Sequence, residues 1–86
     1  MSFVLVFAAR ALGELEKLDK PTKEHILTRL DRAKEEPQLY FERLTGRMDY
    51  KLRAGDYRII ADLNISEKRI EVTKIGHRRN IYQHLP

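Results

Sequence analysis

Gly76-His77-Arg78-Arg79 follows an apolar-patterned stretch that ends at Ile75, and this junction is where the chain offers chemistry. The planar guanidinium fork of arginine matches the oxygens of a phosphate, and a glycine lets the backbone turn sharply or come close to a ligand. Upstream, Lys51, Arg53 and Arg58 add three more cations around a short Ala54-Gly55 turn. Fixed donors of this kind can hold a phosphodiester and stabilise charge as it builds up on phosphorus and on the leaving oxygen. The acid and base are less determined. A lysine crowded by other cations is one candidate base, and histidine is another residue type suited to proton transfer. His77 is also open to a structural reading, in which it hydrogen-bonds the turn or pairs with a neighbouring acid.

The charge balance points the same way once the chain is divided. Residues 1–40 hold seven Lys/Arg and seven Asp/Glu, whereas residues 41–86 hold ten against six and supply the whole net charge of +4. A basic excess confined to the C-terminal elements suits an anionic partner, with nucleic acid foremost; a solvated basic face would give the same count. The chain has no cysteine, which excludes a thiol mechanism and Cys-rich zinc sites, and no metal or other cofactor is expected. Phe3 to Ala9 is the only long apolar run, far too short for a membrane span and without a basic leader region. At 86 residues the expectation is a single cytoplasmic domain, residues 1–86, with one modest core.

The elements that must position these cations follow from periodicity. Residues 3–7 read as a strand buried on both faces. Ala8, Ala11, Leu12, Leu15 and Leu18 then recur at helical spacing. Asp19 suits the N-cap of a second helix, with Pro21 in its first turn and a buried stripe of Ile26, Leu27, Leu30 and Ala33 up to Pro37. His25 reads as an exposed helical histidine. Residues 37–47 lack clean periodicity and read as a linker whose Leu39, Tyr40, Phe41 and Leu44 pack back on the core.

From residue 48 the period changes to two. With Ala54-Gly55 as a two-residue loop, Leu52 opposes Tyr57, Lys51 opposes Arg58 and Tyr50 opposes Ile59. With Asn64 to Glu67 as the next loop, Ala61 opposes Ile70 and Ile59 opposes Val72. Three antiparallel strands, roughly 48–53, 56–63 and 68–75, then share an apolar face of Tyr50, Leu52, Tyr57, Ile59, Ala61, Leu63, Ile70 and Val72. Lys51, Arg53, Arg58, Asp62, Arg69, Glu71 and Thr73 share the solvated face. Like charges directly opposite one another destabilise a sheet, so Lys51 against Arg58 suggests a phosphate between them, the alternative being that both side chains splay into solvent. The predicted fold class is α+β: an N-terminal strand, a helical hairpin and a three-stranded antiparallel meander, with the helices on one face of a twisted sheet.

Three blocks of this sequence, Leu44-Thr45-Gly46, Tyr50 to Ile60 and Ile75 to Tyr82, resemble those of the RelE family of bacterial and archaeal toxins, and their order and spacing extend the resemblance over essentially the whole chain. The resemblance implies a RelE-like fold and a ribosome-dependent endoribonuclease that cuts mRNA in the ribosomal A site. It also implies a cognate RelB-like antitoxin as partner. Carried over by position, Arg58 and Arg78 stabilise the transition state, Lys51 is a catalytic lysine, and Tyr82 lies near the scissile nucleotide, where its ring can stack on a base. Arg53, His77 and Arg79 become phosphate contacts. Tyr82 is also readable as an anchor for the C-terminal segment with Ile81 and Leu85. Asp49 departs from the family pattern, standing where better-known relatives carry a further lysine. ParE-type relatives share the fold and bind DNA gyrase, which leaves a gyrase inhibitor, or a non-catalytic basic binding domain, as alternatives.

Overall fold

The computed structural model describes residues 2–44, 46 and 48–81. Strand β1 (Val4–Phe7) leads directly into helix α1 (Ala9–Glu16), followed by α2 (Lys20–Ala33) and a short α3 (Pro37–Tyr40). Strands β2 (Glu42–Arg43), β3 (Tyr50–Ala54), β4 (Tyr57–Asn64) and β5 (Arg69–His77) complete the helices and strands among the described residues. They form one five-stranded sheet in the order β1-β5-β4-β3-β2. The meander is antiparallel as expected, and β1 joins its far side parallel to β5.

Helices α1 and α2 cover one face of this sheet. Ala11 and Leu15 from α1 and Ile26, Leu30 and Ala33 from α2 pack with Leu52, Ala54, Ile59, Ala61, Ile70, Val72 and Ile75, with Tyr50, Tyr57 and Leu63 at the margin. The apolar face predicted from alternation is therefore the core face. Asp19 stands at the N-cap of α2 in an extended conformation, although its side chain makes no capping bond.

Both hairpin registers differ from the expected ones by two residues. The first loop is Gly55-Asp56, so that Ala54 opposes Tyr57, Arg53 opposes Arg58, Leu52 opposes Ile59 and Lys51 opposes Ile60. Gly55 has φ +61°, as in a type II′ turn, which needs a glycine at its first loop position. The second loop is Ile65 to Lys68, closed by Asn64, whose side-chain oxygen accepts the backbone N–H of Glu67 at 3.0 Å. Leu63 opposes Ile70 and Ala61 opposes Val72. A shift of two preserves the pleat, so every side chain stays on its predicted face while its partner changes. Lys51 is thus not opposite Arg58; the like-charge pair is Arg53 with Arg58.

Alternation itself breaks once, in β5. Ala61 pairs with Val72 but Ile60 pairs with Lys74, leaving Thr73 as the extra residue of a bulge. The Thr73 hydroxyl donates to the Ile60 carbonyl at 3.2 Å. Val72 and Ile75 consequently both reach the core, and Lys74 turns to the face away from the helices.

Three smaller expectations also change. Strand β1 lies at an edge rather than buried on both faces: Val4 is 62% and Val6 38% exposed, because the single helical layer covers only their neighbours' side of the sheet. Leu12 and Leu27 are exposed at the margins of their helices. The predicted linker contains α3 and β2, and within it Phe41 is buried while Leu39 stays 74% exposed. Of the blocks that carry the resemblance, Thr45 and Tyr82 lie outside the described residues, as does Leu85.

The turn at Gly55 is testable. The nearest atoms to an added Cβ would be His25 Cδ2 and Nε2 at 3.9 Å, an ordinary contact, so the cost of Gly55→Ala comes from the backbone. A loss of about 1 kcal/mol or more in urea unfolding is expected; an unchanged midpoint would mean that the turn relaxes to another type.

Candidate functional site: a cationic face of the sheet

Two adjacent cross-strand rows build the face opposite the helices. One runs Glu42, Lys51, Ile60, Lys74 across β2, β3, β4 and β5; the next runs Arg53, Arg58, Gly76. Lys51 and Arg58 are diagonal neighbours on this face, with backbones about 7–8 Å apart in such geometry. The strands thus bring Lys51, Arg53 and Arg58 together as the sequence suggested, and add Lys74, which sequence reasoning missed. A signal for it was present: strict alternation would have put a lysine on the apolar face between Val72 and Ile75, a conflict that a bulge resolves.

Arg58 is held rigidly. It is only 7% exposed, and its Nη1 donates to the carbonyls of Gly55 at 2.8 Å and Tyr57 at 2.9 Å. Arg78 is anchored to the same turn from the other side. Its backbone N–H donates to the Asp56 carbonyl at 2.7 Å, and its side-chain Nε stands 3.4 Å from the Asp56 carboxylate. Both ion-pair partners are exposed, so this contact holds Arg78 only weakly and leaves it available.

His77 does not join the row of Arg53 and Arg58. It pairs with Tyr57 on the helix side, the two rings meeting edge to face at 5.4 Å. Its Nδ1 accepts the backbone N–H of Arg79 at 3.1 Å, which puts the proton of the neutral ring on Nε2. His77 therefore shapes the turn that presents Arg78 and Arg79. Arg79 is exposed, and Tyr82 lies outside the described residues.

Gly76 has a structural reason of its own. A Cβ there would stand 3.0 Å from Cδ1 of Ile81, whose side chain is 2% exposed. The close approach at this glycine is made by Ile81 rather than by the ligand expected there, and it seats the returning chain against the end of β5. On the other edge of β5, Glu14 from α1 accepts the Ile75 N–H at 2.8 Å, continuing the edge pairing where β1 stops.

Charge is graded along the face. Beyond the cationic rows, Asp62 opposes Glu71, and partial burial of its carboxyl together with nearby Asp49 and Glu71 raises the Asp62 pKa above the ordinary value. Asp49 therefore belongs to an acidic end adjoining Lys51. Among the described residues, no group of His, Asp and Glu is arranged to hold a metal.

Two outcomes follow for stability. Arg58→Ala leaves the Gly55 and Tyr57 carbonyls without this donor and should cost about 1–3 kcal/mol in urea unfolding, in contrast to the solvated position expected for it, whereas Arg78→Ala should cost under about 0.5 kcal/mol; equal losses would contradict the anchoring of Arg58. An acid whose pKa is raised on folding destabilises the fold when ionised, and this penalty disappears as pH falls below the ordinary carboxylate range. Asp62→Asn should therefore raise the melting temperature at pH 7 and lose that advantage at pH 3; a gain independent of pH would point to some other cause.

Comparison with known proteins accords with this architecture. A family model described as the ParE toxin of type II toxin–antitoxin systems, parDE, matches residues 5–82. A chain of the intact Escherichia coli RelBE toxin–antitoxin complex is 27% identical over 88% of this chain and 96% of its own, with a TM-score of 0.75. A chain of the archaeal RelE–RelB complex from Pyrococcus horikoshii is 26% identical over 91% and 97%, with a TM-score of 0.73. A chain of a RelBE-type complex from Mycobacterium tuberculosis shares the fold at a TM-score of 0.81, with 17% identity over 91% of this chain and all of its own. No curated protein sequence matches the chain. Matched over most of its length, the chain belongs to the ParE toxin family of type II toxin–antitoxin systems, within the RelE/ParE superfamily.

Proposed function

We propose that this toxin is a ribosome-dependent endoribonuclease that cleaves mRNA in the A site and is held inactive by a RelB-like antitoxin. The observation that carries the reading is the concentration of Lys51, Arg53 and Arg58 on one sheet face, with Arg78 tied to the adjoining turn. A gyrase inhibitor needs a binding surface but no set of cations converging on a phosphate.

In this reading the ribose 2′-oxygen attacks the adjacent phosphorus, a new P–O bond forms, and the bond to the 5′-oxygen breaks. The products are a 2′,3′-cyclic phosphate and a 5′-hydroxyl. The proton leaving the 2′-hydroxyl passes to a base, for which Lys51 is the candidate, and the departing 5′-oxygen receives a proton in turn. Arg58 and Arg78 balance the charge that builds on the non-bridging oxygens. Because Arg58 is already fixed on backbone carbonyls, little reorganisation accompanies the step. Arg53 and Arg79 hold neighbouring phosphates, His77 orders their turn, and Tyr82 stacks on a base. The antitoxin assignment is supported by the similar chains of E. coli and P. horikoshii, whose structures are toxin–antitoxin complexes.

The second reading, gyrase inhibition, is favoured by the family model, whose description is that of ParE. One set of assays separates them: translation and message cleavage with intact ribosomes, against supercoiling by gyrase. Cleavage of ribosome-bound message is expected, reversed by the antitoxin, with Arg58→Ala and Arg78→Ala each slower by roughly 100-fold and Lys23→Ala unchanged. Inhibition of gyrase with no cut message would replace this reading by the second. Full single-turnover cleavage by both arginine variants, with folding checked by circular dichroism, would remove the two residues from the site.

A further inference from the structure

The cationic face holds one residue that the chemistry above does not use. The bulge at Thr73 brings Lys74 round to the row of Lys51 and Ile60. Adjacent strands lie about 4.8 Å apart, so Lys51 and Lys74 flank Ile60 with their backbones about 10 Å from one another. Arg58 follows two residues before Ile60 on the same strand and face. Among the described residues the buried charged side chains are Arg58 and Lys74, each 7% exposed, and both are cations. With Lys51 and Arg53 they make a local excess of positive charge on one face, which attracts an anion. Lys74 also lines a groove of about 220 Å³ at the edge of β5 with Arg10, Glu14, Gly76, His77 and Asn80, in which Glu14 is already engaged by Arg10 and the Ile75 N–H.

We propose that Lys74 is a further phosphate-binding residue of this face, taking a backbone phosphate of single-stranded RNA next to the one held by Arg58 and Arg78. The identity of the ligand rests on the ribonuclease reading; the placement of Lys74 does not. The bulge is what places the residue on this face: without it, Lys74 would point at the helices.

The test measures binding of a short single-stranded RNA, made uncleavable by 2′-O-methylation, between about 50 and 200 mM salt. One lost phosphate contact lowers the slope of log affinity against log salt by about 0.7. Lys74→Met should show that loss, Lys74→Arg should keep the wild-type slope, and Lys23→Met should be unaffected. Should Lys74→Met fail to fold, NMR of the wild-type protein replaces it: the Lys74 Cε signal should move on adding the RNA while that of Lys23 stays. An unchanged slope in folded Lys74→Met, a static Lys74 signal, or no binding by the wild type at low salt would each overturn the proposal. The same preparations separate it from the functional reading. A wild type that binds with the Lys74-dependent slope but does not cut ribosome-bound message sinks the ribonuclease and leaves the phosphate site. Cleavage with an unchanged slope does the reverse.

Discussion

The extra residue in β5 is the constraint on which the arrangement of this protein turns. A straight strand would have to choose between Val72 and Ile75, because three residues apart they point to opposite faces. Thr73 absorbs the mismatch and ties itself to the Ile60 carbonyl, and both apolar side chains then enter the core. The same step sends Lys74 and Gly76 to the other face, one beside Ile60 and the other beside Arg58. Core packing and the composition of the cationic face are thus two results of one backbone irregularity.

The turn between β3 and β4 is the second organising element. Its two residues receive a buried guanidinium from Arg58 and a backbone hydrogen bond from Arg78, so the hairpin tip and the end of β5 are locked together. A buried cation on carbonyl dipoles and an exposed cation on a weak ion pair have different uses. The first is rigid and already oriented, the second free to move on to an incoming anion. That combination suits charge stabilisation in a transition state better than two solvated arginines would.

The edges of the sheet are managed by neighbouring elements. Helix α1 begins directly after β1 and lends the Glu14 carboxylate to the Ile75 N–H, which closes the part of β5 that β1 is too short to reach. Ile81 closes the end of β5 near Gly76, where a Cβ would press on its Cδ1 at 3.0 Å. These contacts hold the segment bearing His77, Arg78 and Arg79 against the body of the protein.

Much of this was legible in the chain alone. Period-two alternation assigned Tyr50, Leu52, Ile59, Ala61, Ile70 and Val72 to the core face, and it put Lys51, Arg53 and Arg58 together on the other, because pleat parity is a local property that needs no knowledge of partners. Helix positions followed for the same reason, from spacing and from Pro21 and Pro37. Which residues oppose one another was not local. Moving both hairpins by two leaves the alternation intact, and the choice fell to the positive φ of Gly55 and the side chain of Asn64, each of which stabilises one loop over its neighbour. Alternation showed Lys74 only as a conflict, a lysine at an apolar-face position, and the bulge that resolves it appears only when two strands must satisfy a common core. The burial of Arg58 on turn carbonyls and the exposure of β1 likewise depended on which elements the chain folds back to cover, and on that question a sequence of alternating residues is silent.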